Sequence, residues 1–373
     1  GRVALPTRET RMRIAIVGAG QLGRMLALAG LPLGLEFRFL DRGPDAPAAG
    51  LGELVQGSFD DPEALRALVS SSDRLTFEFE NVPAALFDGL PAGISPQPPV
   101  LALRCAQDRL FEKELFAELG IDSGPSLPVG DEAGLRAAVE ALGLPAVLKT
   151  RRLGYDGKGQ AVLREYADLP AAWSQLGGRP LLLERFVPFD FEVSLVGVRG
   201  ADGEKAFYPL ARNHHEDGIL RYSLAPWEDE GLFGQAREAL ERIMEHFSYV
   251  GVLTVEFFVS AGRLLANEIA PRVHNSGHWT IEGAETSQFE NHLRAVAGWP
   301  LGSVAPRGHS AMVNFIGAMP AGERVLAIEG AHLHDYQKAP RPGRKLGHAT
   351  VRHDEPAARD RGLRDLLGLA ESA

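Results

Sequence analysis

The sequence predicts a protein of mixed α/β and α+β class, with a doubly wound parallel sheet near its N-terminal end and a small β-rich domain near its C-terminal end. Three observations support this prediction. Strand and helix patterns alternate from Arg13 to about Ala102, which is typical of a parallel sheet. A glycine-rich loop follows an apolar strand that ends at Lys149. Short β runs, separated by glycines and prolines, fill the segment from His309 to about Arg352.

The chain divides into a lead-in and three predicted domains, as expected for 373 residues. Residues 1–11 are polar and precede a strong strand, so we expect a tag remnant or a disordered segment there. A proline-rich run, Gly93–Val100, is typical of a linker. The third domain is expected to form a sandwich-like cap that ends in a helix over Ala357–Leu369. The three domains are residues 12–102, 103–307 and 308–373.

Composition excludes several classes of protein. The hydrophobic fraction of 45% is ordinary for a globular chain, and no run approaches the ~18 apolar residues that span a bilayer. The net charge of −10, without a Lys/Arg-rich run, disfavours nucleic-acid binding. Cys105 is the one cysteine, so no internal disulfide forms and a reducing cytoplasm is expected.

The first strand leads into Gly18–Gly23, which matches G-x-G-x-x-G, and its backbone N–H groups could face an anion. Asp41 ends the second strand, where dinucleotide-binding folds place an acid. Such a turn also serves tight strand–helix packing, so both interpretations stay open.

A later strand carries Glu78 and Glu80 on one face. Ligands of open α/β sheets bind at the carboxyl ends of strands. These acids are therefore candidates for contacting a substrate amine or hydroxyl groups, and a solvated strand end is the alternative.

The central domain contains a predicted nucleotide-binding site. Lys149 ends an apolar strand, and Gly154–Gln160 supplies three glycines and Lys158 for a flap over a polyphosphate. The pattern is not G-x-x-x-x-G-K-[ST], so a Walker mechanism is excluded. Further along, Glu184–Val187 is typical of a hinge that bonds adenine, and Glu192 suits ribose hydroxyls. Structural ion pairs are the alternative role for these two acids.

Glu256 and Glu268 form the strongest predicted pair. They lie on two β runs joined by Ser260–Arg263, a hairpin turn signal. A three-residue loop would pair Ser260 with Leu264 and place Glu256 opposite Glu268, whereas a four-residue loop would separate them. Facing carboxylates among apolar residues need a cation between them, and Mg²⁺ suits oxygen ligands beside phosphates.

Two clusters of donors follow. The run Ala270–His278 holds Arg272, His274 and Asn275, which suit a small oxyanion beside a transferring phosphate. The run Lys338–Lys345 places four cations, Lys338, Arg341, Arg344 and Lys345, in eight residues of an acidic chain. We expect it to bind a substrate phosphate, and a solvated basic loop is the alternative.

These motifs together resemble the ATP-grasp superfamily and, within it, the N5-carboxyaminoimidazole ribonucleotide synthetase family of purine biosynthesis. The resemblance runs from about Met12 to Arg352. The strings that carry it are GAGQLGRML, TFEFENVP, DRLFEKELF, VLKTRRLGYDGKGQ, LLLERFVPFDFEVS, NEIAPRVHNSGHWT and RPGRKLGHATV.

The resemblance implies a fold and a reaction. It implies a pre-ATP-grasp sheet, an ATP-grasp domain and a small C-terminal domain in a homodimer. Bicarbonate would attack the γ-phosphate of Mg-ATP, giving carboxyphosphate, and Mn²⁺ can substitute for Mg²⁺. The amine of 5-aminoimidazole ribonucleotide would then capture the carboxyl group, with release of ADP and phosphate.

The resemblance also implies roles for individual residues. Glu256 and Glu268 would ligate Mg²⁺. The catalytic residues would be Asp156, Arg272, His274, Asn275 and Lys345. The ATP-binding residues would be Arg109, Lys149, Gly154, Tyr155, Asp156, Gly157, Lys158, Gly159, Gln160, Glu184, Arg185, Phe186, Val187, Glu192, His215, Asn267 and Glu268. The ribonucleotide would contact Gly20, Gln21, Leu22, Glu78, Tyr155, Ser276, Lys345 and Arg352.

Three rival functions stay open at this point. A formate-dependent transformylase of the same superfamily would use formate in place of bicarbonate. A nicotinamide dehydrogenase could be built on Gly18–Gly23. A catalytically silent ATP-binding scaffold is disfavoured, because both predicted metal ligands are present.

Overall fold

The computed structural model describes residues 11–154 and 158–373. Its first sheet is parallel throughout, with strand order β3-β2-β1-β4, as the alternating pattern predicts. Its elements are β1 (Arg13–Val17), α1 (Gln21–Gly30), β2 (Glu36–Asp41), β3 (Glu53–Gln56), α2 (Pro62–Val69) and β4 (Arg74–Phe77). Glu78 follows β4 directly, at the carboxyl edge of this sheet.

Two helices and a small antiparallel sheet follow. The elements are α3 (Val100–Ala106), α4 (Arg109–Glu118), β5 (Ser126–Val129), α5 (Glu132–Leu142), β6 (Ala146–Thr150), β7 (Gln160–Leu163), α6 (Leu169–Leu176) and β8 (Leu181–Arg185). The strand order is β5-β8-β6-β7. Asp108 caps α4 through the N–H of Leu110, and Arg151 binds the same carboxylate. This junction holds the start of α4 against the end of β6.

The second antiparallel sheet has nine strands, in the order β14-β13-β9-β11-β12-β15-β17-β16, with β10 paired to β9. Its elements run from β9 to α11. They are β9 (Phe191–Arg199), β10 (Lys205–Phe207), β11 (Ala211–Glu216), β12 (Ile219–Ala225), α7 (Glu230–His246), β13 (Gly251–Ser260), β14 (Arg263–Ala270), α8 (Thr280–Gly283), α9 (Gln288–Ala297), β15 (His309–Ile316), α10 (Gly322–Leu326), β16 (Ala331–Asp335), β17 (Lys345–His353) and α11 (Pro356–Ser372).

The C-terminal strands continue this large sheet, which corrects the expectation of a sandwich-like cap. Leu224 of β12 pairs with Ala311 of β15, and three neighbouring pairs extend the contact. One face of this extension is apolar, and α11 covers it through Leu363 and Leu366. The predicted helix near the C-terminal end is confirmed. The domain boundaries remain a prediction, because the sheet passes through the proposed boundary near residue 308 without a break.

One apolar core joins the first sheet to the large sheet. It contains Ile14 and Phe37 from the first sheet together with Val198 and Leu293. Helix α9 packs on α1, and a Cβ on Gly30 would lie 2.8 Å from a methyl carbon of Leu293. Close packing of this kind fixes how the two sheets face each other. Within the described residues, no helix combines the length and hydropathy needed to cross a membrane.

Candidate active site

A cleft of ≈ 470 Å³ lies where the three sheets meet, and it collects most of the predicted site residues. The predicted residues that line it are Gln21, Leu22, Glu78, Arg109, Lys149, Gly154, Gln160, Glu184, Arg185, Phe186, Val187, Glu192, His215, Glu256, Asn267, Glu268, Arg272, His274, Asn275 and Lys345. Residues from both ends of the sequence therefore meet at one place, as the predicted motifs require.

Other predicted site residues lie elsewhere. Ser276 is fully buried behind the cleft, where its hydroxyl bonds Ser194 (2.7 Å) and His274 Nδ1 (2.8 Å). Arg352 donates to the carbonyl of Arg307 and to Asp354, outside the cleft. Neither residue lines the cleft, and their expected ribonucleotide contacts stay predictions. Gly20, Lys158 and Gly159 also lie outside the cleft lining. The predictions for Tyr155, Asp156 and Gly157 lie outside the described residues.

The hairpin of β13 and β14 brings Glu256 opposite Glu268, as predicted, but by another route. The turn has two residues, Ala261 and Gly262, so Ser260 pairs with Arg263 and the predicted three-residue loop is wrong. Both turn residues have positive φ, 49° and 75°, which suits a tight hairpin. A bulge beside Glu256 then shifts the register by one residue and restores the facing pair.

Each of the two facing carboxylates changes the pKa of the other. Burial and the charge of Glu268 raise the pKa of Glu256 well above its ordinary value. For Glu268 burial acts upward, but the hydrogen bond with Glu256 and the charge of Arg109 outweigh it and lower the pKa to about 2. The pair therefore shares one proton when no cation lies between the carboxylates.

The donor set fits a hard divalent cation. Within the described chain, no group of three or more His, Cys, Asp or Glu side chains forms a metal cage. Two carboxylates would thus leave most coordination positions to water and phosphate oxygens. That arrangement is the one by which proteins hold Mg²⁺ on a nucleotide.

Cations converge next to this carboxylate pair. Lys149 donates to Glu184 Oε2 at 2.7 Å, and Lys113 lies 3.9 Å from Glu184 Oε1. Arg109 Nη1 lies 3.5 Å from Glu268 Oε2. Burial opposes ionisation of Glu184, but the charges of Lys149 and Lys113 outweigh it and lower its pKa. The side chain of Glu184 is therefore engaged by these two lysines.

Lys113 is a site residue that the motifs did not single out. Its Nζ also donates to the carbonyl of Asn267 at 3.1 Å, beside the bulge. The signal was present in the sequence, since Lys113 follows Arg109 by four residues in one helix. Side chains at that spacing share a helix face, so both cations point to the cleft.

His215 lies between Glu192, the predicted ligand of the ribose, and Glu256, one of the two predicted metal ligands. Its Nδ1 lies 3.0 Å from Glu192 Oε2, and its Nε2 lies 3.7 Å from Glu256 Oε1. A bulge at His214 and His215 breaks the regular pairing of β11 with β12. Bulges of this kind redirect side chains at functional sites.

The predicted oxyanion cluster is held from both sides. Arg272 makes a two-pronged ion pair with Glu80 at the edge of the first sheet, with one bond of 2.8 Å. The amides of Asn275 and Asn314 bond reciprocally, at 3.0 and 2.7 Å. Glu80 therefore positions Arg272, and strand β15 positions Asn275 through Asn314.

A carboxyl group of the protein itself fills the glycine-rich turn. The carboxylate of Glu78 accepts the N–H groups of Gly20 and Gly23, both at 2.5 Å. Asp41 accepts the N–H of Ala19 at 2.9 Å. A Cβ on Gly20 would lie 2.7 Å from Glu78 Oε1, so glycine is needed there. The donors that a dinucleotide would use are already engaged, which argues against the dehydrogenase alternative.

Comparison with known proteins agrees with this geometry. Family models match residues 11–107 (ribonucleotide synthetase preATP-grasp domain), 114–289 (ATP-grasp domain) and 310–361 (phosphoribosylaminoimidazole carboxylase C-terminal domain). The N5-carboxyaminoimidazole ribonucleotide synthase of Pseudomonas aeruginosa is 54% identical over 361 residues, which cover 97% of this chain and 100% of that protein. The chain belongs to the N5-carboxyaminoimidazole ribonucleotide synthase family.

Solved structures of this family have the same fold. The synthetase from Thermus thermophilus aligns with a TM-score of 0.92 and 56% identity, covering 95% of this chain and 98% of that one. The Aspergillus clavatus synthase, solved with ADP and 5-aminoimidazole ribonucleotide, aligns with a TM-score of 0.91 and 31% identity, over 98% and 100%. The predicted family and fold class are thereby confirmed. The protein is an ATP-dependent ligase of purine biosynthesis, also as predicted.

Proposed function

We propose that the protein carboxylates 5-aminoimidazole ribonucleotide with bicarbonate and Mg-ATP, giving N5-carboxyaminoimidazole ribonucleotide, ADP and phosphate through carboxyphosphate. The observation that carries this proposal is the placement of Glu256 and Glu268. Arg109 Nη1 lies 3.5 Å from Glu268 Oε2, and His274 Nε2 of the oxyanion cluster lies 4.0 Å from Glu256 Oε1, so the pair contacts both groups of donors. One cleft thus offers a triphosphate site directly beside an oxyanion site. The Aspergillus relative binds ADP and the same ribonucleotide.

The nucleotide would lie along the small sheet. Arg109, Lys113 and Lys149 would neutralise the phosphates, with Gly154 and Gln160 at the base of the flap. The backbone of residues 184–187 would bond adenine, and Glu192 with His215 would hold the ribose. Asn267, at the bulge, would face the triphosphate.

Mg²⁺, or Mn²⁺ in its place, would be held by Glu256 and Glu268. The ion would neutralise charge on the transferring phosphoryl group. The shared proton of the pair must leave when both carboxylates ligate the ion, because ligands bind deprotonated.

The acceptor half of the reaction would take place at the other end of the cleft. Arg272, His274 and Asn275 would orient bicarbonate and then carboxyphosphate by donating hydrogen bonds to developing negative charge. Gln21, Leu22, Glu78 and Lys345 line the part left for the ribonucleotide. The roles of Tyr155 and Asp156 near the amine stay predictions. Carboxyphosphate is short-lived in water, so the cleft must close before it forms.

Omission experiments test the proposal. ADP release is measured with ATP, ribonucleotide and bicarbonate together, and then with each substrate omitted. We expect the coupled rate to collapse without bicarbonate and formate to give no rescue. Full turnover with formate in bicarbonate-free buffer would instead support the transformylase alternative. Absence of turnover under all conditions would support the silent scaffold.

A titration of NADH fluorescence tests the dehydrogenase alternative. Because Glu78 and Asp41 occupy the donors of the glycine-rich turn, we expect no saturable binding. Tight, saturable binding of NADH would contradict the assignment.

We also propose that the protein is a cytoplasmic homodimer. The family resemblance supports the dimer, and the unpaired thiol of Cys105 suits a reducing compartment. Light scattering across a range of concentrations should give twice the mass of the chain. A monomer mass at all concentrations would contradict the dimer.

A further inference from the structure

A buried glutamine holds the loop that carries the oxyanion cluster. Gln288 is the first residue of α9 and is fully buried. Its Oε1 accepts the N–H of His274 at 3.0 Å, and its Nε2 donates to the carbonyl of His274 at 2.7 Å. A Cβ on Gly277 would lie 2.5 Å from Oε1, so the loop lies directly on this amide. The two backbone bonds fix which end of the amide is oxygen and which is nitrogen.

The same nitrogen has a second hydrogen, and it is aimed at a histidine. Gln288 Nε2 lies 3.2 Å from His278 Nδ1. An amide NH₂ group can only donate, so Nδ1 of His278 must carry the lone pair. A neutral imidazole has one N–H, and the proton therefore resides on Nε2.

The ring of His278 is fixed in place and neutral. It is 2% exposed, with Phe289 and His348 at ring distances of 5.4 and 4.9 Å. Burial lowers the pKa of His278 well below its ordinary value, and the charge of Lys345 acts in the same direction. The ring lines the cleft, and in the part of the chain that the structure describes its Nε2 has no hydrogen-bond partner.

We propose that Gln288 is a positioning residue that holds His278 as the Nε2–H tautomer, so that the ring donates one hydrogen bond to an oxyanion at the acceptor end of the cleft. The proposal rests on the proposed function for the nature of that oxyanion. Lys345, which lines the same part of the cleft, adds positive charge there. The carboxyl group of the bicarbonate-derived intermediate and the phosphate of the ribonucleotide share this chemistry.

Nitrogen NMR of the full chain labelled with ¹⁵N-histidine tests the tautomer without requiring activity. The signals of His278, among 11 histidines, are assigned by their loss in His278→Gln. We expect the wild-type spectrum to show the Nε2–H form at neutral pH. An Nδ1–H form or an imidazolium would overturn the proposal, whatever the protein catalyses.

Gln288→Glu tests the positioning role, because a carboxylate has the same shape and only accepts. We expect His278 to change to the Nδ1–H form. The KM of one oxyanion substrate should rise about tenfold, the effect of one hydrogen bond, while the KM of ATP stays unchanged. A higher KM for bicarbonate identifies the carboxyl group as the acceptor of the hydrogen bond from His278. A higher KM for the ribonucleotide identifies its phosphate as that acceptor. An unchanged tautomer would overturn the proposal.

Two further variants separate positioning from simple loss of structure. Thr280→Val removes the hydroxyl that accepts the N–H of Gln288 at 2.9 Å but leaves the side-chain amide intact. It should keep the Nε2–H form and the KM values, and the same change as in Gln288→Glu would overturn the proposal. If the buried charge prevents folding, Gln288→Met removes the donor without charge and should give a mixture of tautomers. A pure Nε2–H signal in that variant would contradict the role of Gln288.

Discussion

Glu256 faces Glu268 across a hairpin whose two-residue turn would, with regular pairing, place Asn267 opposite Glu256 instead. The register shift beside Glu256 moves Glu268 into that position. Because side chains alternate between the two faces of a strand, a shift of one residue decides whether a carboxylate points into the cleft. The proposed metal pair thus depends on one irregularity of the sheet.

Replacing Glu268 by glutamine should abolish Mg²⁺-dependent turnover while the protein stays folded. The change removes one anionic ligand, and metal stabilisation is worth several kcal/mol, so we expect a loss of about a hundredfold or more in kcat. Steady-state ADP release at saturating Mg²⁺ measures it. Glu245→Gln, on the exposed surface, serves as the control. A fully active Glu268→Gln variant would remove this residue from the metal site.

Replacing Lys149 by methionine should weaken ATP binding. Each charge-assisted hydrogen bond to phosphate contributes roughly 1.5–3 kcal/mol, which corresponds to about tenfold or more in Kd. Calorimetric titration with ATP measures the change. Lys205→Met is the matched control, because Lys205 pairs with Glu245 away from the cleft. Equal affinities of Lys149→Met and wild type would refute the phosphate role.

Stability should depend on pH through Glu112, which lies in α4 beside Lys113. Burial raises the pKa of Glu112 from 4.5 to about 8. Between those values the folded protein binds more protons at this site than the unfolded chain does. The contribution of Glu112 to the free energy of unfolding should therefore fall as the pH rises from about 5 to 8, by a few kcal/mol in total.

The difference between wild type and Glu112→Gln isolates this contribution, since glutamine resembles the protonated carboxyl. Urea unfolding across that pH range should show the wild type losing stability relative to the variant. Glu114→Gln, at an exposed position of the same helix, serves as the matched control. A difference between wild type and Glu112→Gln that does not change with pH would contradict the raised pKa of Glu112.

Replacing Arg272 by lysine should lower kcat although the charge is kept. Lysine cannot reproduce the planar fork that binds Glu80 through two bonds. Loss of one oriented donor typically costs about a hundredfold in kcat. Arg263→Lys, which alters an exposed pair with Asp122, should retain wild-type kcat. A comparable loss in that control would indicate a general effect on folding.

The sequence predicted the parts of the site that depend on short-range patterns. Local spacing predicts the pairing of Glu256 with Glu268, the lysine one residue before the end of β6 and the strand–turn–helix around Gly18–Gly23. The loop length of the hairpin was wrong, because a two-residue turn and a bulge produce the same pairing as a three-residue turn. Periodicity cannot distinguish these two solutions.

Long-range polar contacts were not predictable from patterns. Nothing near Gln288 indicates that its amide reaches back to His274, and nothing near Glu78 indicates that it fills the glycine-rich turn. Ser276 lies in a motif rich in hydrogen-bond donors, but its hydroxyl is hydrogen-bonded to His274 in the protein interior. These partners depend on how whole sheets pack, and that information is spread over the entire core.

The pairing of β12 with β15 determines where the chain can be cut. A fragment that ends before His309 would expose the N–H and C=O groups of residues 222–225, which now bond to residues 310–313. Open strand edges recruit other chains, so such a fragment should aggregate when it is expressed alone. Split or minimal versions of the enzyme are better designed by opening an exposed loop than by removing the C-terminal segment.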